Sequence, residues 1–231
     1  MLPKLRKGGF SIYFRHGVTT SSFRRCKDIA GLAFGQFIVN LDYKITRRKL
    51  MKGMVFTEFL EMVEGRFGLA MADRIIEAAQ LPSGGAYTAV GTYDYTEMVH
   101  LVNALSAATG AAQADLVKAF GRHLFERFSV AYSRMFAGVT SAFEFLKNIE
   151  RHIHVEVWKL YPDAELPSFN YEEASTERLV MVYHSRRPFA DLAEGLIQGC
   201  IAHYAEKIEL GRENLEVGTM NRVRFTLTKK P

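Results

Sequence analysis

Apolar residues recur at helical spacing from Val55 to Phe128. Positions 55, 59, 62, 63 and 67 step by amounts that keep one helix face apolar. The same reasoning predicts helices over residues 55–67, 70–79, 96–109 and 114–128. Thr96 is the expected cap of the third helix, and Gly110 is expected to end it. The first part of the chain is therefore predicted to be a run of short helices.

Residues 141–161 carry two competing patterns. Apolar residues from Phe143 to Leu160 step by three or four, which favours a helix. The stretch from His152 to Val157 instead alternates polar and apolar residues, as a strand does. Because the helical pattern is the longer one, we predict a single helix that ends at Pro162.

The rest of the sequence predicts a sheet. Residues 168–174 and 178–185 fit strands, residues 188–208 fit an amphipathic helix, and residues 215–219 and 222–228 fit a terminal hairpin. Helices followed by antiparallel strands indicate an α+β domain, with a helical half packed on a half formed by the sheet and its helices.

Charge separates residues 1–50 from the rest. They hold eleven Lys or Arg and two acids, a net charge of +9, whereas residues 51–231 carry −4. This segment could be a basic arm for nucleic acid or a membrane surface, an organelle presequence, or a misassigned start. We favour the third, since composition and periodicity both change at Met51. The expected division is a basic extension over 1–50, misassigned or disordered, and a domain over 51–231.

Several classes of protein lack support in the sequence. The apolar runs are far shorter than the roughly 20 residues of a membrane-spanning helix. Cys26 and Cys200 form no disulfide framework and no zinc-type pair, which favours a reducing cytoplasm. Phosphate-binding, dinucleotide-binding and serine-nucleophile motifs are absent. We therefore expect no enzymatic activity, no membrane span and no nucleic-acid partner.

His152, His154 and Glu156 form the first candidate site. On a strand their side chains would share a face and could hold a metal. On a helix His152 and His154 would point about 200° apart and could not bind one ion. If the strand formed, these three residues would suit a metal enzyme without heme, and such an enzyme is the alternative to the function inferred below.

Tyr183, Ser185 and Arg187 form the second candidate site. At a strand end, alternate residues face one side and present two hydroxyl groups and a guanidinium. Such a set suits a carboxylate, because Arg can bind it bidentately. A surface strand with mixed polar residues would look similar, and the spacing alone names no ligand.

Together these features resemble the heme nitric oxide/oxygen-binding (H-NOX) domain, the sensor module of soluble guanylate cyclases and of bacterial standalone signalling proteins. The resemblance covers Met51 to the C-terminus and begins with Met51-Lys52-Gly53, similar to the start of bacterial members. Residues 153–158 resemble the helix of the proximal histidine, and residues 161–167 resemble the turn after it. Tyr183-His184-Ser185-Arg186-Arg187, which begins 29 residues after His154, matches the family's Y-x-S-x-R motif.

The resemblance implies heme b (iron protoporphyrin IX) between the two halves of the domain. His154 would be the iron ligand. His152 and His123 are the other candidate histidines, and the resemblance does not select them. Tyr183, Ser185 and Arg187 would bind the heme propionates, and Pro167 would pack against the porphyrin.

The resemblance also implies which gas the heme would bind. Oxygen-binding members place a tyrosine where this chain has Leu192. The other implied distal positions are apolar as well, although ordinary core packing would select similar residues: Val55, Phe59, Leu124, Phe128 and Leu196. A pocket without a hydrogen-bond donor favours nitric oxide or carbon monoxide over oxygen. The implied function is a nitric oxide sensor that acts through release of the His154–iron bond on a histidine kinase or a diguanylate cyclase in trans.

Overall fold

Helices occupy the first part of the chain and an antiparallel sheet most of the last part, which confirms the predicted α+β class. The computed structural model describes residues 50–162, 164–215 and 221–231. Its elements are β1 (Leu50–Lys52), α1 (Gly53–Phe67), α2 (Leu69–Ala79), β2 (Thr92–Asp94), α3 (Tyr95–Thr109), α4 (Gln113–Ala131), a 3-10 turn (Ser133–Phe136), α5 (Ala142–Lys147), a π-helical turn (Ile149–Ile153), α6 (His154–Leu160), β3 (Ser168–Ala174), β4 (Arg178–Ser185), α7 (Ala190–His203), β5 (Ile208–Leu215) and β6 (Asn221–Lys229).

The four predicted N-terminal helices are present as α1 to α4. The cap of α3 is Asp94 rather than the expected Thr96, because the Asp94 carboxylate accepts from the Thr96 backbone N–H at 2.9 Å. Gly110 ends α3 with a φ of 74°, as predicted. The fully buried side chains of these helices form a first core, which includes Phe56, Leu60, Ile75, Leu101 and Leu105.

A second core lies between the sheet and helices α5 and α7. The strand order is β3-β4-β6-β5, and all neighbours are antiparallel. Alternate residues of β4 and β6 face this core: Leu179, Met181, Tyr183, Val223, Phe225 and Leu227. The sheet thus presents Tyr183 inward at the end of β4, next to the helical part of the domain.

The C-terminal boundaries differ from the sequence prediction. The predicted helix over 188–208 ends at His203, and Ala205 reverses the chain with a φ of 51°. Ile208 continues the helical spacing, but it belongs to β5, where it alternates with Leu210 on the core side. The hairpin partner of β6 is therefore β5 rather than residues 215–219. Residues 216–219 lie outside the described residues.

The predicted helix over 141–161 is three separate pieces. α5 ends at Lys147, the chain makes one π-helical turn, and α6 begins at His154. A π turn spaces its hydrogen bonds one residue wider than an α-helix does, so it changes which side chains share a face. His154 is buried and His152 is exposed, which is also what their angular separation on a regular helix would give.

β1, just before α1, and β2, just before α3, form a two-stranded antiparallel sheet that the sequence did not predict. Leu50 pairs with Asp94, Met51 with Tyr93, and Lys52 with Thr92. The described domain therefore includes Leu50, one residue before the expected boundary. The predictions for residues 1–49 lie outside the described residues. Within the described part of the chain, no helix has the length and apolar character needed to cross a membrane.

Helices α4 and α7 cross at glycines. A Cβ atom at Gly195 would lie 2.2 Å from the Lys118 carbonyl oxygen, and one at Gly121 would lie 2.5 Å from the Leu192 carbonyl oxygen. Only the missing side chains allow this approach, which joins the helical part of the domain to the sheet part.

We predict opposite effects of two Gly→Ala substitutions on the free energy of unfolding, measured by urea titration. Gly195→Ala should destabilise the protein by about 1–3 kcal/mol, because the helices must separate to admit a methyl group. Gly65→Ala in α1 meets open space and should stabilise it by about 0.5–1 kcal/mol. A neutral or stabilising Gly195→Ala would contradict the close crossing.

Candidate functional site

A cavity of about 300 Å³ lies between the two cores, and its lining is almost entirely apolar. Ten of the eleven predicted site residues line it: His154, Tyr183, Ser185, Arg187, Pro167, Val55, Leu124, Phe128, Leu192 and Leu196. Val55, Phe128, Leu192 and Leu196 pack against the first core, whereas Tyr183 belongs to the second. A volume of this order is typical of small-molecule and cofactor sites.

Phe59 is the predicted residue that does not line the cavity. Its side chain is fully buried in the first core, and its ring meets Phe120 edge to face at 5.2 Å. The lining of the cavity on α1 stops at Val55, one turn earlier. The helical spacing correctly places Val55 and Phe59 on one face of α1, but Phe120 of α4 packs against Phe59.

His154 begins α6 and is 8% exposed. Its Nδ1 lies 3.3 Å from Glu150 Oε1, and the same oxygen accepts the Phe169 backbone N–H at 2.7 Å. The Nδ1 approach is close but poorly aligned, so Nδ1 makes no hydrogen bond with the described residues. Burial lowers the pKa of His154, and Glu150 only partly opposes this shift. The imidazole is therefore neutral at neutral pH, the form that ligates metals.

The alternative metal site is not formed. His152 and Glu156 line a second pocket, of about 420 Å³ beside α5, whose lining does not include His154. Among the described residues, no group of three His, Cys, Asp or Glu side chains is placed to hold a metal ion. His123 lies on α4, 3.7 Å from Glu58, and does not line the cavity.

Arg187 is a buried cation at the polar edge of the cavity. One terminal nitrogen donates to the Leu50 carbonyl oxygen at 2.7 Å and to Glu165 Oε2 at 2.9 Å. Its Nε is buried and has no hydrogen-bond partner among the described residues. The Ser185 hydroxyl accepts the Arg187 backbone N–H at 3.0 Å. An unsatisfied buried donor on a cation fits an anionic ligand such as a carboxylate.

Tyr183 lies at the same polar edge of the cavity and is 2% exposed. Burial raises the pKa of Tyr183, although Ser185 and Arg187 oppose the shift. The hydroxyl group therefore stays protonated and can donate to an anion. The alternation within β4 brings Tyr183 and Ser185 to one side, as the sequence predicted, and Arg187 follows from the next segment.

Sequence analysis missed a tyrosine in the cavity wall. Tyr132 lies one turn after Phe128 at the end of α4, and its hydroxyl is 4.0 Å from Met54 Sδ. Burial and the neighbouring Tyr161 raise the pKa of Tyr132 to about 12. The spacing of four residues from Leu124 to Phe128 to Tyr132 could have revealed it. The wall is therefore apolar at the predicted positions but carries phenols beside them.

An ion pair joins α1 to α4 behind this wall. Arg127 Nε donates to Glu58 Oε2 at 2.8 Å, and His123 lies near the same carboxylate. Burial raises the pKa of Glu58, but its interactions with His123 and Arg127 outweigh this effect, and the net pKa lies below the ordinary value of 4.5. The ionised carboxylate therefore stabilises the contact between the two helices.

The profile of the Haem-NO-binding family matches residues 52–212. An Fe(II) unliganded H-NOX protein from K. algicida is 40% identical, with 78% of this chain and 97% of that chain covered and a TM-score of 0.74. The IWP-051-bound H-NOX from Shewanella woodyi in the Fe(II)CO state is 37% identical, with 78% and 95% covered and a TM-score of 0.68. No curated protein matches the chain.

A more distant structure supports the fold alone. An H-NOX protein from S. oneidensis in the Fe(II)NO state is 24% identical, with 78% of this chain and 100% of that chain covered and a TM-score of 0.71.

We predict that the Glu58–Arg127 contact depends on pH. Arg127→Met should lower the free energy of unfolding by about 0.2–1 kcal/mol at neutral pH. A carboxyl whose pKa is lowered by folding contributes stability above its unfolded pKa and loses it as pH falls through the folded value. The difference from wild type should therefore shrink below pH 4.5. Urea titrations at neutral and acidic pH measure it.

Arg66→Met on the exposed side of α1 is the matched control for this prediction. It removes the same charge without removing a contact to Glu58, so its effect should be small at both pH values. A loss for Arg127→Met that is equally large in acid would contradict the ion pair.

Proposed function

Because the chain belongs to the Haem-NO-binding (H-NOX) family of heme gas-sensor domains, we propose that it senses nitric oxide with heme b bound through His154. Domains of this family are sensors rather than enzymes, which agrees with the absence of a catalytic motif. The observation that carries the proposal is one apolar cavity with a buried neutral imidazole and, at its polar edge, a buried guanidinium whose Nε lacks a partner among the described residues.

The donor set fits heme. When bound, heme supplies an iron atom with a coordination position open to a diatomic gas. The Nδ1 of His154 faces Glu150, which leaves Nε2 as the nitrogen to ligate a metal from the cavity. Arg187 Nε, the Tyr183 hydroxyl and the Ser185 hydroxyl would bind the propionates, and Pro167 would pack against the porphyrin. The apolar lining of the cavity would exclude water from the remainder of the porphyrin.

The distal residues favour nitric oxide or carbon monoxide. Leu192 and Leu196 of α7 and Phe128 of α4 offer no hydrogen-bond donor, whereas an oxygen ligand gains from one. The Tyr132 hydroxyl is engaged with Met54 and Tyr161. Among the relatives above 30% identity, the S. woodyi protein is described in its Fe(II)CO ligation state, which agrees with this choice.

The segment from His154 to Pro167 would transmit the signal. The indole N–H of Trp158 donates to the Ala164 carbonyl oxygen at 3.0 Å, which ties α6 to the loop that carries Glu165 and Pro167. A shift of α6 away from the cavity would therefore pull on this loop and on the Arg187 contact. We propose that a separate histidine kinase or diguanylate cyclase in the cytoplasm responds to this shift, and that residues 51–231 suffice for sensing.

We predict that His154→Gly abolishes heme binding, because it removes the only axial ligand that the proposal assigns. Imidazole added to the medium should restore the visible absorption by occupying the space of the deleted ring. His152→Gly, at an exposed position of the same segment, is the control and should keep wild-type absorption. Pigment and gas response that persist in His154→Gly without imidazole would refute the proposal.

We predict that Leu192 sets the discrimination against oxygen. Reduced wild-type protein should form no stable new spectrum under air, and Leu192→Tyr should form one because its hydroxyl adds a donor to the cavity. Leu192→Phe adds similar bulk without a donor and should behave as the wild type does. A stable air-induced spectrum in the wild type would overturn the apolar-wall argument.

A further inference from the structure

Glu150 connects His154 to the sheet. It lies in the π-helical turn four residues before His154, and its Oε1 is 3.3 Å from His154 Nδ1. The same oxygen accepts the Phe169 backbone N–H of β3 at 2.7 Å. One carboxylate oxygen thus lies between the imidazole and the strand, on the side of the ring that faces away from the cavity.

We propose that Glu150 is a positioning residue for His154, which sets the strength of the iron–imidazole bond and makes it depend on the position of β3. This inference rests on the proposed function. Metal-bound histidines generally donate their second ring N–H to a carboxylate or carbonyl oxygen, which fixes the tautomer and increases the basicity of the ligand. Glu150 is the acceptor that this chain offers.

The surroundings of His154 support this assignment. Nδ1 is buried and lacks an aligned hydrogen bond, which is costly for an N–H group. The rings of Phe169 and Trp158, at 6.2 and 6.4 Å, provide no oxygen acceptor. A small rotation of the imidazole toward Glu150 Oε1 would satisfy Nδ1 and hold Nε2 toward the cavity.

Phe169 limits how far Glu150 can polarise the imidazole. Its N–H shares the oxygen, and the Glu150 side chain is 31% exposed, so water screens part of the charge. The bond should thus be strengthened only moderately, which leaves it breakable. Phe169 also lines the cavity, so a change in the cavity could displace β3. That displacement would move Glu150 Oε1 and change its interaction with His154 Nδ1.

A second contact holds Glu150 and β3 as one unit. The Tyr171 hydroxyl of β3 donates to the Leu146 carbonyl oxygen of α5 at 2.5 Å. Burial and the Glu150 carboxylate raise the pKa of Tyr171 to about 12, so this donor stays protonated. β3 is therefore attached both to the end of α5, through Leu146, and to the π turn, through Glu150.

Glu150→Gln separates the positioning role from a structural one. The amide oxygen of Gln can still accept the Phe169 N–H, but it carries no charge to polarise His154. Resonance Raman spectra of the reduced, heme-loaded protein report the iron–histidine stretching frequency directly. We expect Glu150→Gln to lower this frequency and to accelerate heme transfer to apomyoglobin by about 10-fold.

Glu156→Gln is the matched control. Glu156 lies on the same segment but pairs with Lys159 at 2.5 Å rather than with His154, so both readouts should equal those of wild type. Glu150→Asp keeps the charge on a shorter side chain. Its iron–histidine frequency and its rate of heme transfer should lie between those of wild type and Glu150→Gln.

Three outcomes are distinguishable. A Glu150→Gln frequency equal to wild type would overturn the positioning role while leaving the heme sensor intact. A wild-type protein without an iron–histidine band would refute the proposed function itself. A lower frequency in Glu150→Gln alone, with Glu156→Gln unchanged, would support the inference.

Discussion

The burial of two polar side chains in one apolar cavity is the constraint on which the site depends. An imidazole and a guanidinium lose their hydration between the two cores, and neither is stable there without partners. His154 has Glu150 beside it, and Arg187 has Glu165 and the Leu50 carbonyl oxygen. His154 Nε2 and Arg187 Nε are not used by these partners, and these nitrogens suit a ligand that carries both a metal and carboxylates.

A π-helical turn interrupts the segment that carries these residues. Glu150 and His154 are four residues apart and lie on the same side, whereas His152 lies outside, as helical spacing gives. The turn changes the direction of the residues that follow it, relative to a single α-helix over 141–161. Such turns are frequent at functional sites.

The sequence predicted the fold class and most of the residues that line the cavity. It did not predict the positions that depend on contacts between residues far apart in the chain. Alternation in β4 places Tyr183 and Ser185 together in any register, so local pattern sufficed. Steps of three and four residues are common to α and π turns, so periodicity could not reveal the break at Asn148. Phe59 does not line the cavity because Phe120, a residue far along the chain, packs against its ring, and no local pattern reveals that contact. Glu165 reaches Arg187 across 22 residues, a contact that no local pattern shows.

Both ends of the cavity are held by the stretch that starts at the π turn and ends at Pro167. Glu150 approaches the histidine, and Glu165 binds the guanidinium at the opposite, polar edge. Trp158 links the helix between them to the loop. In the proposed function, a displacement of α6 would therefore act on His154 and, through the loop, on the Glu165 carboxylate that binds Arg187. The contacts proposed for the iron and for the propionates would then be coupled within one short stretch of chain.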